Sequence, residues 1–452
     1  MSGYQAYQEY QGTGPANTPD PKFVGIAISV GNKLSQSNNQ SSERNALPTE
    51  INAGGDVTVL ARGDGSNTSG DLVMTGSGIK GKNVTLGAAR DLVLQSAVND
   101  SQSSGSNHSS GWNVGLSFGF SDGGAGISVF ANLNAAKGKE LGNSGRYTET
   151  NITASDTLTL KSGRDATLLG AQVSGDKVKA DIGRNLTLTS QQDTDHYQSK
   201  QSKQSKQSSI AAGGSFTFGT MTGSGYVNAS RQKINSDFES VVEQTGVFAG
   251  KQGFDIRVGD HTQLNGAVLA GSDNASNNRL STGTLGWSDL HNRADYKVES
   301  QSIGISGSAS STTFAAISNG SIELRSPDAQ QQDVPTLLRD PSKAANGLSP
   351  IFDKKKELEK LQEVQLIGEI GQQATQLVVN EKMADAEKKV HENKEYANSP
   401  EYKALQEKWG VGSDFQRGMQ AATVALQGLA GGGLAEAAAG AASPYLAHPV
   451  CQ

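Results

Sequence analysis

The stretch "GRDATLLGAQVSGDKVKADIGRNLTLTS", residues 163–190, contains the same short unit twice. The unit "GRDATLLG" begins at Gly163 and "GRNLTLTS" begins at Gly183, so it recurs after 20 residues. In each copy a turn is followed by apolar side chains that alternate with threonine, which is typical of a strand with one buried side. A fixed period of this length, built from short strands and polar turns, indicates a parallel β-solenoid.

An earlier block of the chain has the same period. The units "GDLVMTGS" and "RDLVLQSA" begin at positions 70 and 90, again 20 residues apart. We therefore predict parallel strands that stack along one axis, at residues 56–60, 83–86, 91–95, 157–160, 165–169 and 185–189. The predicted neighbours along that axis are Leu72 with Leu92 and Leu168 with Leu188.

A longer period is superimposed on the short one. The segments "TGSGIKG", "LGAQVSG" and "NGAVLAG" begin at positions 75, 169 and 265, so they recur after 94 and 96 residues. Each module thus holds a few short repeats and then an insertion. The insertion begins with a polar run, "SQSSGSNHSS" (101–110) or "YQSKQSKQSKQSS" (197–209). We predict that these polar runs are loops, because they contain too few apolar side chains to fold by themselves.

Alternating apolar residues follow each polar run. Residues 112–133 predict a β-hairpin whose turn is Ser-Asp-Gly-Gly, and about 212–230 predict a second one. Transmembrane strands show a similar alternation with aromatic residues near the interfaces. The candidate membrane-contact residues are Trp112, Phe118, Phe120, Phe216 and Phe218. The alternative is a hairpin that packs on the flank of the solenoid.

Composition argues against several classes of function. Hydrophobic residues make up 35% of the 452 residues and aromatic residues 6%, which is low for a compact enzyme core. A formal charge of −6 argues against nucleic acid as a partner. The lone Cys451 excludes an intramolecular disulfide and a cysteine metal cluster, and the six histidines have no ligand spacing. We expect no enzyme activity, no cofactor, no metal and no small-molecule substrate.

The periodicity changes beyond the second block. Residues 326–350 predict a proline-rich linker, and residues 351–452 predict a helical module. One helix there should have Ser399 as its N-cap and Pro400 as its first residue, and should stop at Gly410. Another should begin near Ser413 or Asp414. The Gly/Ala-rich run 423–442 has few large apolar residues, so we predict a close-packed helical hairpin there and not a membrane span.

The units "AGGDVTVLARG", "AARDLVLQSA", "SGRDATLLGAQVSG" and "IGRNLTLTS" resemble the haemagglutinin-repeat region of the filamentous haemagglutinin and contact-dependent growth inhibition exoproteins. The resemblance covers residues 22–325 as a β-solenoid with inserted hairpins. Residues 407–447, "EKWGVGSDFQRGMQAATVALQGLAGGGLAEAAAGAASPYLA", resemble the pretoxin region of the same proteins.

This resemblance implies a secreted rod on the surface of a Gram-negative cell, which presents a C-terminal toxin to a neighbouring bacterium. The implied partners are a two-partner-secretion outer-membrane transporter and the outer membrane or a surface receptor of the target cell. The sequence has no signal peptide, and residues 1–21 are predicted to be disordered. It also has no Val-Glu-Asn-Asn tetrapeptide, so we expect a fragment truncated before any toxin domain. An adhesin for cell or surface attachment is the alternative function.

Two short motifs have a functional and a structural interpretation. Arg62, Gly63 and Asp64 form an integrin-like tripeptide that is a weak adhesion candidate, or else a turn between strands. The segment "GSGIKG" (76–81) fits a dinucleotide-binding spacing but opens no predicted helix, so we interpret it as a solenoid turn.

Overall fold

The computed structural model describes residues 24–65, 68–121, 124–213, 222–300, 304–410, 412–431, 437–439 and 441–442. The protein is mainly β, with a helical region at its C-terminal end. Its strands form two parallel sheets and one antiparallel sheet of long hairpins. The residues 1–21 that were predicted to be disordered lie outside the described residues.

The parallel strands fall into three sets that the chain visits in turn. We call one pass through the three sets a rung. The first set comprises β2 (Glu50–Asn52), β5 (Gly78–Gly81), β10 (Thr150–Ala154), the first half of β13 (Ala171–Ile182), the first half of β17 (Gly246–Val258), β19 (Val268–Ala270) and β24 (Ala316–Ile317). The second set comprises β3 (Val57–Ala61), β6 (Val84–Ala88), β11 (Thr157–Ser162), the second halves of β13 and β17, β20 (Arg279–Thr282) and β25 (Ser321–Leu324). The third set comprises β4 (Leu72–Thr75), β7 (Leu92–Gln95), β12 (Ala166–Leu169), β14 (Leu186–Thr189), β18 (His261–Asn265) and β21 (Thr284–Ser288).

The strand predictions for these sheets are confirmed. All six predicted strands are present within two residues of their expected bounds, and all pair in parallel. Leu72 lies opposite Leu92, and Leu168 lies opposite Leu188, as the 20-residue period predicts. The segment "GSGIKG" ends in strand β5, which is not followed by a helix.

Stacking in register places equivalent side chains of successive rungs on top of one another. One such ladder belongs to the first set and runs Ile51, Ile79, Ile152, Val173, Val247, Leu269, Ile317. Its members from Ile79 to Ile317 are buried. Because a lone rung cannot bury this apolar surface, each rung depends on its neighbours for stability.

Charged side chains stack at the corner before the third set. Arg90, Arg164 and Arg184 each bind the aspartate of the neighbouring rung, which is Asp71, Asp91 and Asp165 respectively. These arginine hydrogen bonds hold the pKa of each of the three carboxyl groups below its usual value. The arginine that recurs in the turn of each repeat is therefore also a contact between rungs.

The antiparallel sheet contains seven strands in the order β1, β8, β9, β15, β16, β22, β23. Their bounds are β1 (Val24–Arg44), β8 (Ala97–Ser121), β9 (Gly124–Thr148), β15 (Asp193–Gly213), β16 (Thr222–Ser240), β22 (Leu290–Ser300) and β23 (Gly304–Thr313). One hairpin leaves the parallel sheets after every two rungs, and successive hairpins pair edge to edge. The hairpin predicted at residues 112–133 is confirmed, since Ser121 pairs with Gly124 across its turn.

The prediction that the polar runs are loops is wrong. Residues 197–209 lie inside β15 and pair with β9 on one side and β16 on the other. Residues 101–110 likewise lie inside β8 and pair with β1 and β9. A strand between two neighbours is held by backbone hydrogen bonds, which do not require apolar side chains. Strand β1 was not predicted either.

The segment 326–350 covers the last rungs of the parallel sheets. The side-chain amide of Gln330 accepts a hydrogen bond from the Leu285 backbone N–H and donates one to its carbonyl. Gln332 makes the same pair of bonds with Trp287, so two glutamines satisfy the outer edge of β21 as a further strand would. The domain boundaries at residues 326 and 350 stay a prediction.

In the part of this region that the structure describes up to residue 431, the α-helices are α1 (Lys354–Glu392), α2 (Pro400–Trp409) and α3 (Asp414–Gly431). The predicted start and end of α2 are confirmed. The Ser399 hydroxyl accepts a hydrogen bond from the Tyr402 N–H, and Gly410 ends the helix. The predicted start of α3 is confirmed at Asp414. Among the described helices, none combines the length and the apolar character needed to cross a lipid bilayer.

Candidate contact surface on the hairpin sheet

One face of the antiparallel sheet is covered by the start of the helical module, and we call it the helix-covered face. The ring of Phe352 lies 5.8 Å from that of Tyr197 and 5.9 Å from that of Tyr296. Beneath these rings Ile234 and Val298 are buried together with Leu361 of α1. This aromatic and aliphatic contact joins the helices to three neighbouring strands.

A cation closes the edge of this contact. The Nζ of Lys354 lies 4.6 Å from the centre of the Tyr197 ring and 3.2 Å from Glu140 Oε2. The Tyr197 hydroxyl also donates a hydrogen bond to Glu140. Burial raises the pKa of the Tyr197 phenol above its usual value. Tyr197 is the first residue of the polar run, so the run contacts the helical module at this residue.

The opposite face of the sheet, here called the open face, carries exposed apolar side chains toward the hairpin tips. Strand register places six of them on adjacent strands of this one face. They are Ile28 (58% exposed), Val30 (60%), Trp112 (47%), Val114 (47%), Leu116 (44%) and Leu133 (56%). We call these six residues the apolar patch. Apolar groups clustered in this way mark surfaces that contact a partner or a membrane.

The apolar patch contains one of the five predicted membrane-contact residues, Trp112. Phe118 and Phe120 lie further along β8, at positions that pair with Ile26 and Val24 of β1. Phe216 and Phe218 lie outside the described residues. The structure thus brings Trp112 together with aliphatic residues from β1 and β9 that the sequence analysis did not single out.

The adhesion candidate lies elsewhere, in the connection between β3 and β4. Arg62, Gly63 and Asp64 are all exposed. Gly63 and Gly65 have φ angles of 66° and 82°, so the connection uses the left-handed conformation that glycine allows. Ser69 donates a hydrogen bond to the Asp64 carboxylate, which holds the tripeptide in the turn.

Three carboxylic acids lie close together where the hairpins leave the parallel sheets. Burial and a hydrogen bond with Glu243 raise the pKa of Glu149 to about 8. Burial also raises the pKa of Asp193. Within the described part of the chain, no group of three or more His, Cys, Asp or Glu side chains could hold a metal ion.

Comparison with known proteins assigns the repeats to a family. The family model described as "Hemagglutinin repeat" matches residues 30–204 and 198–278, which is more than half of the chain. The chain belongs to the hemagglutinin repeat family. The matched residues include the hairpins β8/β9 and β15/β16 and the rungs between them.

Similarity to curated proteins extends over nearly the whole chain. It is 45% identical to the tRNA nuclease CdiA of Escherichia coli strain NC101, over 99% of this chain and 15% of that protein. It is also 45% identical to the deoxyribonuclease CdiA of Dickeya dadantii, over 100% of this chain and 15% of that protein. The deoxyribonuclease CdiA of Yersinia pseudotuberculosis is 40% identical over 100% of this chain and 46% of that protein. The chain therefore spans less than half the length of these relatives, and no solved structure matches it.

The sequence contained a signal for the apolar patch that the prediction used only in part. The alternation in β1, at Ile28 and Val30, matches that of β8 at Val114 and Leu116. This alternation predicts that the apolar residues of each strand share one face, but it does not predict which strands are neighbours. The pairing of β1 with β8 joins residues that are far apart in the chain, for example Ile28 with Leu116.

Proposed function

We propose that this chain is the part of a contact-dependent growth inhibition effector that presents a toxin and helps to deliver it to a neighbouring bacterium. In this proposal the chain itself has no catalytic activity. The full-length protein is secreted through an outer-membrane transporter and stands on the surface of a Gram-negative cell. Its partners on the target cell are the outer membrane or a surface receptor.

One observation carries the proposal. Relatives that match this chain over nearly its whole length are named for different activities: tRNA nuclease, deoxyribonuclease and 16S rRNA endonuclease. Identity over the matched segment nevertheless stays between 42% and 45% for these three. A segment that is similar in proteins with different substrates does not determine the substrate. Its role is one that such toxins share, and delivery is such a role.

We also propose that the parallel strands form a β-solenoid, which serves as the stalk. The support is the ladder from Ile51 to Ile317, in which each rung stacks in register on the next. Such stacking produces an elongated body whose length grows with the number of rungs. Delivery to a neighbouring cell requires an elongated body of this kind.

The apolar patch is the proposed point of contact with the target membrane. Its side chains are exposed near the tips of the hairpins, where they are accessible to a second surface. Trp112 lies between the aliphatic rows of Val114 and Leu116 and the polar rows that begin at Ser110. Tryptophan is enriched at that boundary in membrane proteins because its ring is apolar and its N–H is polar.

A chimera tests the proposed function. The matching segment of the CdiA of E. coli strain NC101 is replaced by this chain, and cells that display the chimera are grown with susceptible neighbours. We expect growth inhibition to persist, whereas deletion of the segment should abolish it. A chimera that is displayed and attaches to neighbours without inhibiting them would instead support the adhesin function. Purified chain should not degrade tRNA or DNA, and any degradation would contradict the absence of catalysis.

A further inference from the structure

Cationic side chains form two rows across the open face of the hairpin sheet. Lys139, Lys200 and Lys233 are directly opposite one another on β9, β15 and β16. In the adjacent row, two residues nearer the tips, Lys137 and Arg231 are both opposite Ser202. We call these five residues the basic rows.

The basic rows are on the same face as the apolar patch. Lys137 and Lys139 follow Leu133 in β9 at even spacing, and residues at even spacing along a strand share a face. Lys137, Lys139, Lys200 and Arg231 are exposed, and the side chain of Lys233 is 45% exposed. Ser199 and Ile234, the neighbours of Lys200 and Lys233 in sequence, are buried on the helix-covered face.

Three like charges opposite one another reduce the stability of a sheet, because each lysine repels the next across the strands. The acid nearest to these rows on the open face is Glu299, which pairs with Lys233 in the register. Its carboxylate lies 2.5 Å from Lys297 Nζ and 3.8 Å from Lys233 Nζ, so it is shared between two lysines. Asp237 and Asp295 are also on this face. They lie two rows further than Lys233 and Glu299 from the hairpin tips, toward the parallel sheets. The basic rows therefore carry a net positive charge in a chain whose overall charge is −6.

We propose that the open face binds a lipid surface whose phosphate headgroups carry a net negative charge, with the basic rows on the phosphates and the apolar patch against the adjoining hydrocarbon. Along a strand that rises about 3.4 Å per residue, Lys137 lies four residues and about 14 Å from Leu133. An apolar area beside a cationic area on one face matches a lipid layer, in which hydrocarbon adjoins charged headgroups. A soluble phosphate or a nucleic acid matches only the cationic part.

This inference rests on the proposed membrane contact and names the lipid chemistry that the contact recognises. Cosedimentation of the full chain with vesicles tests it, using phosphatidylcholine vesicles with and without phosphatidylglycerol. The test variant combines Lys139→Gln, Lys200→Gln and Lys233→Gln. We expect it to bind the anionic vesicles about 100-fold more weakly than the unchanged chain, since each lysine near such a surface contributes about 1 kcal/mol. The unchanged chain should also lose affinity as salt is added.

A matched control removes the same charge from other surfaces. Lys33→Gln and Lys203→Gln lie on the helix-covered face by register, and Lys161→Gln lies on β11 of the parallel sheets. This triple variant should bind anionic vesicles as the unchanged chain does. Equal loss in both triple variants would mean that only total charge matters, and would overturn the assignment to the basic rows.

A third variant separates the two parts of the surface. Trp112→Ser combined with Leu133→Ser should weaken binding while the salt dependence remains. If this variant loses vesicle binding but the triple glutamine variant at Lys139, Lys200 and Lys233 does not, the role of the basic rows in lipid binding is overturned. The proposed membrane contact through the apolar patch then still stands. If the unchanged chain binds soluble polyphosphate but no vesicle, the lipid assignment is overturned. Growth inhibition by the chimera is measured separately, so it can persist when every vesicle experiment fails.

Discussion

Individual leucine side chains illustrate how the parallel sheets are held together at the scale of the residue. Leu94, Leu168, Leu188 and Leu264 follow one another through β7, β12, β14 and β18, and each is 0% exposed. Such a residue contacts the rung above it and the rung below it. Its removal therefore leaves a cavity that a shift of one rung cannot fill.

We predict that Leu168→Ala lowers the free energy of unfolding by about 2–5 kcal/mol, which is typical when a buried leucine leaves a cavity. Urea unfolding monitored by circular dichroism measures the change. Val73→Ala in β4 is the control, because Val73 is 56% exposed and its loss should change stability by less than about 0.5 kcal/mol. Equal effects of the two substitutions would contradict the stacked interior.

Glu149 gives a prediction with a pH dependence. The pKa of Glu149 is about 8 in the folded chain, whereas the ordinary pKa of a glutamate is 4.5. The folded state therefore binds this proton more tightly than the unfolded state does. Between these two pH values the unfolded state has lost the proton and the folded state retains it, so the free energy of unfolding falls as pH rises. Glu149→Gln should flatten this decline and raise the melting temperature at pH 8. Thermal melts between pH 5 and pH 8 measure it, and an unchanged slope in the variant would contradict the assignment.

At the scale of the element, the polar run 197–209 shows why strands can be misread as loops. Serine, glutamine and lysine neither alternate in polarity nor form an apolar face, so the run has no strand signal of its own. Its backbone is paired on both edges, from Thr194 to Ala211. The long-range partners β9 and β16 decide its conformation.

Proline substitution distinguishes a strand from a loop. Ser202 is opposite Lys137 on β9 and Arg231 on β16, so Ser202→Pro removes the N–H of a strand that is paired on both edges. We expect faster amide hydrogen exchange in β9, β15 and β16, because proline cannot donate to the sheet. Ser202→Ala at the same position keeps the N–H and should leave exchange unchanged. Unchanged exchange in the proline variant would contradict the paired strand and support a loop at residues 197–209.

At the scale of the whole molecule, the start of the helical module docks on the hairpins. The contact at Phe352 lies between Tyr197 of the second hairpin and Tyr296 of the third. Gln330 and Gln332 separately cover the edge of β21. The direction of the helices therefore depends on the hairpin sheet, and a disturbance of that sheet is transmitted to them.

We predict that Phe352→Ala loosens α1 from the hairpins while the parallel sheets stay folded. The loss of a half-buried aromatic ring should reduce the docking free energy by up to about 3 kcal/mol. Hydrogen exchange at the start of α1 and limited proteolysis near residue 350 measure it. Leu377→Ala, in the same helix but 70% exposed, is the control. If α1 is protected from exchange and proteolysis to the same extent in both variants, Phe352 does not hold the helical module on the hairpins.

The amino-acid sequence is sufficient to predict the local repeat and the ends of the helices. The 20-residue period predicted the pairs Leu72 with Leu92 and Leu168 with Leu188, because parallel stacking places equivalent residues opposite one another. Ser399, Pro400 and Asp414 predicted helix ends, since caps depend on residues close in sequence. Two features become apparent only in the folded chain: the polar runs are strands, and the apolar patch and the basic rows share a face. These features arise when β1, β8, β9, β15 and β16 pair across long stretches of chain, and a short window of sequence contains no information about such partners.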